Sequence, residues 1–244
     1  DIAAQLADDL TAVAIKQREW TAAANKTVVV AFQACLGRLE DLRCWGRQNQ
    51  VPSSLLWNQN SELLQRGSLQ RHAREKPLGY AGDFRLLDRI CREDVTLDPL
   101  GKAMDLFFQS QAAPQAVRNR CRFIADRIAQ ARDTSQPSCL RVASIGSGPA
   151  WEIQWAIDSI EPSNQLDLTL IDIDPRALQF CEDRLAAQPT VRRLETIQAN
   201  LGRLPRRKQV LDATNGSDLI YCAGFFDYLD DVAAISMLRA LWDR

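Results

Sequence analysis

Residues with the types and spacing to do chemistry fall in three places along this chain. Gly146-Ser147-Gly148 leaves no side chain at two points where a tight turn can bring backbone N–H groups close to a ligand at a helix N-terminus. Asp172 follows roughly twenty residues later, where an α/β nucleotide site places the carboxylate that accepts both ribose hydroxyls. A glycine pair alone has a purely geometric use between strand and helix, so its pairing with the acid is what counts. A dinucleotide site would need a third glycine at position 151, where the chain has Trp151. The second place is His72 to Phe84, in which Gly79, Tyr80, Gly82 and Asp83 lie close to Arg71, Arg74 and Lys76. That turn offers a phenol, a carboxylate and several cations. Its plain alternative is a capped connection between helices, with Asp83 as N-cap. The third is Phe225, Phe226 and Tyr228, which can pack on an acyl chain, face a cation, or simply cover the end of a sheet.

The elements that must position these residues are legible from the apolar pattern. Val142 to Ile145 and Leu168 to Ile171 read as buried parallel strands, and Trp151 to Ile160 has the spacing of a helix packed on them. This is a βαβ unit. Pro175 opens a helix carrying Leu178, Cys181 and Leu185; Leu194 to Gln198 makes a third strand, followed by Asn200-Leu201; Asp218 to Gly224 makes a fourth. It delivers Phe225, Phe226 and Tyr228 to the carboxyl edge of the sheet, where open α/β sheets bind ligands. Asp231 to Trp242 is a helix with Val232, Ile235, Leu238 and Leu241 on one apolar face. Residues 1–135 read as helical, with faces through Ile2, Leu6, Leu10, Val13 and Ala14 and through Val29, Phe32, Leu36, Leu39 and Leu42. Pro52 opens a short helix and Pro114 a long one carrying Val117, Cys121, Ile124, Ile128 and Ala131. Gln136-Pro137-Ser138 is the expected junction, giving a helical domain over 1–135 and an α/β domain over 136–244. No cofactor role is read into Trp20, Trp45 or Trp57.

Ile145-Gly146-Ser147-Gly148-Pro149-Ala150 followed by Leu170-Ile171-Asp172-Ile173-Asp174-Pro175-Arg176-Ala177-Leu178 resembles motifs I and II of class I S-adenosylmethionine-dependent methyltransferases. The resemblance implies a Rossmann-like sheet and S-adenosylmethionine as cofactor. It implies cofactor contacts from Ile145, Gly146, Ser147, Gly148, Asp172, Ile173, Asn200, Leu201, Cys222 and Ala223. Ser144 stands where that family commonly has an acid, Ala150 where it has a third glycine, and Asn200 where it has an acid facing the adenine amine. The segment Lys76 to Phe84, with motif I and Gly224 to Leu229, is similar to bacterial proteins of 3-hydroxypalmitic acid methyl ester biosynthesis, over roughly residues 70–244. That likeness implies a small or acyl acceptor, most simply a carboxylate, with Tyr80, Asp83 and Tyr228 as catalytic residues and Arg74, Phe225 and Phe226 at the substrate. A carboxylate is ionised at neutral pH and needs no base, so His72 is a base only for a protonated acceptor and otherwise a bystander. The plan has seven strands. Four are legible, so the sheet is expected to be truncated after the fourth, with more chain beyond Arg244.

Composition narrows the partners. With 46% hydrophobic residues the chain can build a real core, and a net charge of −1 gives no overall attraction to nucleic acid. Arg192-Arg193 and Arg206-Arg207-Lys208 lack interleaved aromatics and read as solvated charges. The chain also lacks the Asp/Asn-Pro-Pro-Tyr and Pro-Cys signatures of nucleic-acid methyltransferases, so no nucleic-acid partner is expected. Scattered Cys35, Cys44, Cys91, Cys121, Cys139, Cys181 and Cys222, with a single histidine, argue against a metal site and for a reducing, cytoplasmic setting. No run has the length of a membrane span or signal peptide, and the absence of an initial methionine suggests that residues precede Asp1. A homodimer through the N-terminal helices is a further expectation. From a different class, the alternative function is a non-catalytic S-adenosylmethionine-binding or interaction module.

Overall fold

The computed structural model describes residues 1–16, 21–44, 46–134, 139–161, 163–202 and 208–242. The expected junction at Gln136-Pro137-Ser138, the pair Arg206-Arg207, and Trp20 and Trp45 lie outside them. The chain forms two compact units, Asp1–Ala116 and Val117–Arg244.

The first unit is helical: α1 (Ile2–Lys16), α2 (Ala22–Asp41), α3 (Gln50–Leu64), α4 (Ser68–Glu75), α5 (Phe84–Cys91) and α6 (Pro99–Gln109), with the start of α7 (Ala112–Thr134). Its core gathers Leu6, Leu10, Val28, Phe32, Leu64, Leu100, Met104 and Phe107, with the Phe32 and Phe107 rings stacked at 4.9 Å. The buried face of α2 runs through Ala24, Val28, Ala31, Phe32 and Cys35, so the expected stripe is rotated by about one residue and Leu36 and Leu42 are exposed. Buried Asp105 accepts from Ser68 Oγ (2.6 Å) and from the N–H groups of Leu69 and Thr96 (2.9 Å each), tying α4 and the entry of α6 together.

In the second unit, β1 (Cys139–Ile145), β2 (Gln165–Asp172), β3 (Val191–Gln198) and β4 (Leu219–Tyr221) form one parallel sheet in the order β3-β2-β1-β4. The connecting helices are α8 (Trp151–Ser159), α9 (Pro175–Leu185) and α10 (Lys208–Thr214), and α11 (Asp231–Trp242) ends the unit. One cluster packs Ala125 and Ile128 of α7 with Leu140, Val142, Ile153, Leu168, Leu178 and Cys181. A second joins Ile145, Ile171, Leu201, Val210, Leu211 and Met237. The part of α7 from Val117 onward contributes to the first of these clusters and belongs to this unit. Strand order reverses between β1 and β4, a switch point of the kind at whose carboxyl ends open α/β sheets bind ligands.

Three expectations need correction in this unit. The fourth strand is three residues long rather than reaching Gly224, because after Tyr221 the chain leaves the ladder and coils into a 3₁₀ turn at Phe225–Tyr228. On α11 the stripe of Val232, Ile235 and Leu238 faces solvent, and the helix is seated instead through Met237, with Ala240 and Leu241 partly buried. Arg192 is not a loose loop charge: it pairs with Asp167 across β2 and β3. Among the described residues no helix is long and apolar enough to cross a membrane.

Candidate functional site

The glycine turn after β1 is fastened to the end of β2. Gly146 and Ser147 both donate to the Ile171 carbonyl, at 2.8 and 3.1 Å. Gly148 N–H donates to Asp172 Oδ2 at 2.8 Å, and Asp174 N–H to Asp172 Oδ1 at 2.9 Å. Gly146 and Gly148 have φ of +71° and +51°, the left-handed region open to glycine. At Gly146 the fit is also tight, since a Cβ would sit 3.3 Å from Phe225 Cβ and 3.4 Å from Leu201 Cδ1. Segments following β1, β3 and β4 therefore close on one point. Burial pushes the Asp172 carboxyl up, against the N–H groups of Asp174, Gly148 and Ile173, which favour its charged form. Each carboxylate oxygen keeps acceptor capacity after these bonds.

The helix side of the turn rests on Ala150 and Trp151, which stand where related patterns place a glycine, and on Arg184, Phe180 and Glu152, which the pattern did not single out. Ala150 has φ +48°, a left-handed conformation that costs a non-glycine residue roughly 1–2 kcal/mol. It is held by Arg184, whose Nη2 donates to the Ala150 carbonyl at 3.0 Å and to that of Pro149. The Arg184 guanidinium lies 4.6 Å from the Trp151 ring centroid and 4.9 Å from that of Phe180. Trp151 thus serves as a platform for the arginine that fixes the turn. Glu152, buried at the start of α8, accepts from the Tyr221 hydroxyl at 2.9 Å and so links this turn to β4. Burial raises the Glu152 carboxyl, and burial together with the neighbouring Glu152 charge raises the Tyr221 hydroxyl. An acid one residue into a helix is a common feature, which is why nothing marked Glu152 beforehand.

Around the carboxyl ends of the strands the other expected residues divide by exposure. Ile173 is 53% exposed beside Asp172, whereas the Ile145 side chain is wholly buried in the second cluster and offers only its backbone. Leu201 is buried; Asn200 is exposed, its Oδ1 accepting from Gly202 N–H at 3.0 Å. Cys222, Ala223, Phe225 and Phe226 are half-buried and Tyr228 is exposed. Burial raises the Cys222 thiol, against the N–H groups of Phe225, Gly224 and Phe226 and the charge of Arg120.

Tyr80, Asp83 and Arg74 belong to the helical unit. Asp83 is the N-cap of α5, accepting from Arg85 and Leu86 N–H at 3.0 and 3.1 Å, and it also bonds His72 Nε2 at 2.8 Å. Only 1% exposed, that carboxylate holds the turn together. Tyr80 is 37% exposed, between Gly79 (φ +92°) and Gly82 (φ +66°). Arg74 lies over the Trp57 ring at 5.6 Å and donates to Ser53 and Ser54 Oγ at 3.1 and 3.4 Å.

No protein-family model matches this chain, and no curated protein sequence does. Among solved structures, the chain is similar to a possible exported protein from Bordetella parapertussis, at 23% identity and a TM-score of 0.51 over 72% of this chain. The chain spans 57% of that protein's length, and the likeness is one of fold. A second solved structure, selenomethionine-substituted CurJ carbon methyltransferase, aligns at 15% identity and a TM-score of 0.43 over 98% of this chain and 68% of its own.

Proposed function

We propose that the α/β unit binds S-adenosylmethionine in the crevice at the carboxyl ends of β1, β2 and β4, and that the protein transfers a methyl group to an oxygen of a small or acyl acceptor, most simply a carboxylate. The observation that carries this reading is the glycine turn hydrogen-bonded to Asp172, with exposed Ile173 beside it, at a topological switch point. The residues present fit the cofactor. The left-handed turn at Gly146 and Gly148 leaves backbone without side chains beside Asp172, whose carboxylate oxygens offer acceptors suited to a ribose diol. Ile173, Leu201 and Asn200 would take the adenine, while the main chain of Ile145, Gly146, Ser147 and Gly148, with Cys222 and Ala223, would face the methionine part. The cofactor supplies a methyl group already activated on a sulfonium, so the chain's own residues have mainly to align. Holding an acceptor oxygen ~3–3.5 Å from the reacting carbon makes the step effectively unimolecular. Phe225, Phe226 and Tyr228, on the turn after β4, would wall the acceptor.

Calorimetric titration with S-adenosylhomocysteine tests the binding half. Asp172→Ala removes charge-assisted hydrogen bonds worth ~1.5–3 kcal/mol, so affinity is expected to fall at least about tenfold. Unchanged affinity would refute the assignment. The catalytic half is tested by incubation with labelled cofactor and hydroxy fatty acids, free fatty acids or amine metabolites. Saturable cofactor binding with no methyl transfer to any of them would favour a binding module instead.

A further inference from the structure

We propose that the Arg120 guanidinium is a carboxylate receptor at the carboxyl end of β4, gripping a carboxylate of the molecule bound in the crevice. Arg120 lies on the part of α7 that belongs to the α/β unit. Its guanidinium rests on the Gly224 backbone: a Cβ at that position would stand 3.1 Å from Nη2 and 3.3 Å from Cζ and Nη1. Gly224 has φ −160°, a value any residue adopts, so what glycine provides here is a close approach for the guanidinium. Arg120 Nε is buried without a hydrogen-bond partner. The one ion pair found for Arg120 among the described residues is to Asp227, at 3.9 Å, and the Asp227 side chain is 79% exposed. That distance is too long for a hydrogen bond. The Arg120 side chain is 36% exposed and lies against Gly224, with no anion nearer than Asp227 among the described residues, the opposite of Arg141, which grips Asp218 at 2.9 Å. The planar fork of a guanidinium matches a carboxylate in bidentate fashion, and Phe225 and Phe226 follow Gly224 with apolar surface for the rest of the ligand.

The proposal rests on the ligand site described above. Its carboxylate has two chemical sources, the amino-acid end of the cofactor or an acidic acceptor, and the test separates them. Binding is measured by calorimetry on the full chain, native and Arg120→Gln, in matched pairs. S-adenosylhomocysteine is set against 5′-methylthioadenosine, which lacks the amino-acid end, and decanoate against decanol. The expected result is at least a tenfold loss for one carboxylate-bearing member with its partner unchanged. Loss for S-adenosylhomocysteine assigns the cofactor's carboxylate; loss for decanoate assigns the acceptor's. Equal loss for both members of a pair, or no loss in either pair, overturns the proposal, as does failure of the native protein to bind either carboxylate. Should the native protein bind decanoate but neither nucleoside, the methyltransferase reading fails while the receptor is still judged on the decanoate pair. Gly224→Ala keeps the charge and crowds the guanidinium, so it is expected to weaken the same carboxylate-bearing member, less than Arg120→Gln does, and to leave its partner unchanged.

Discussion

At the scale of single residues, two buried carboxyls flank the glycine turn, and both have pKa values raised by burial. A carboxyl raised in the folded state binds its proton more tightly there than in the unfolded chain. Its contribution to stability is therefore fully present below the ordinary carboxylate value, near pH 4, and is lost as pH rises through the raised folded value. Glu152→Gln keeps an acceptor for the Tyr221 hydroxyl and removes the titration. Thermal melts from pH 4 to pH 8 should show the native protein losing more stability on the alkaline side than the variant, which at neutral pH should be at least as stable. Parallel curves would show that Glu152 does not titrate in this window. Asp167 and Asp218 act in the opposite sense. Hydrogen bonds from Arg192 and Arg141 hold their carboxyls low, so their contribution is present above pH 4 and disappears as pH falls through the depressed values. In the helical unit, Tyr80 and Asp83 have separable expectations. If the Tyr80 phenol is catalytic, Tyr80→Phe lowers turnover while leaving cofactor affinity and melting temperature in place. Asp83→Ala removes the α5 cap and the His72 partner and should cost about 0.5–2 kcal/mol of stability. Equal effects of Tyr80→Phe on melting and turnover would reduce Tyr80 to a structural role.

At the scale of elements, the turn from β1 into α8 works because its conformation is enforced from outside. Ala150 is wholly buried and left-handed, and Arg184 clamps its carbonyl from α9. Glycine at 150 relieves the left-handed cost but forfeits a buried methyl worth about 0.8 kcal/mol, so Ala150→Gly is expected to change stability by less than about 1 kcal/mol. A β-branched side chain at positive φ is a true outlier, and Ala150→Val should be far more destabilising. Denaturant unfolding of the two variants checks the order, and a well-tolerated valine would mean that the turn is not held as described. What could be read beforehand follows the same division between local and enforced structure. The first three strands of the sheet, the helix opened by Pro175 and the Asp83 cap follow from short-range rules and contain the residues expected of them. The buried faces of α2 and α11 depend on which neighbours each helix meets. Apolar residues occur on more than one side of both, so the stripe alone selected Leu36 and Leu238 where packing selected Cys35 and Met237. Arg120 was illegible for a stronger reason. Its meaning arises from meeting Gly224, and nothing in Arg118-Asn119-Arg120 distinguishes one arginine from the other.

At the scale of the whole molecule, the chain has two compact units, each with its own buried apolar clusters. Leu10 lies wholly buried in the helical core and Leu168 is 1% exposed in the sheet core. Truncating either to alanine removes well-packed methyl groups and leaves a cavity, at a cost of about 2–5 kcal/mol. With separate cores, the two substitutions are expected to lower different transitions in a calorimetric scan of the full chain. The ligand then identifies which transition belongs to the crevice. A compound that binds only the folded α/β unit stabilises it by about 2.7 kcal/mol at a free concentration one hundred times its Kd. S-adenosylhomocysteine should therefore raise the transition lowered by Leu168→Ala and leave the one lowered by Leu10→Ala unmoved. If both substitutions lower a single common transition, the units unfold as one cooperative body. If the ligand raises only the transition lowered by Leu10→Ala, the binding site has been placed in the wrong unit.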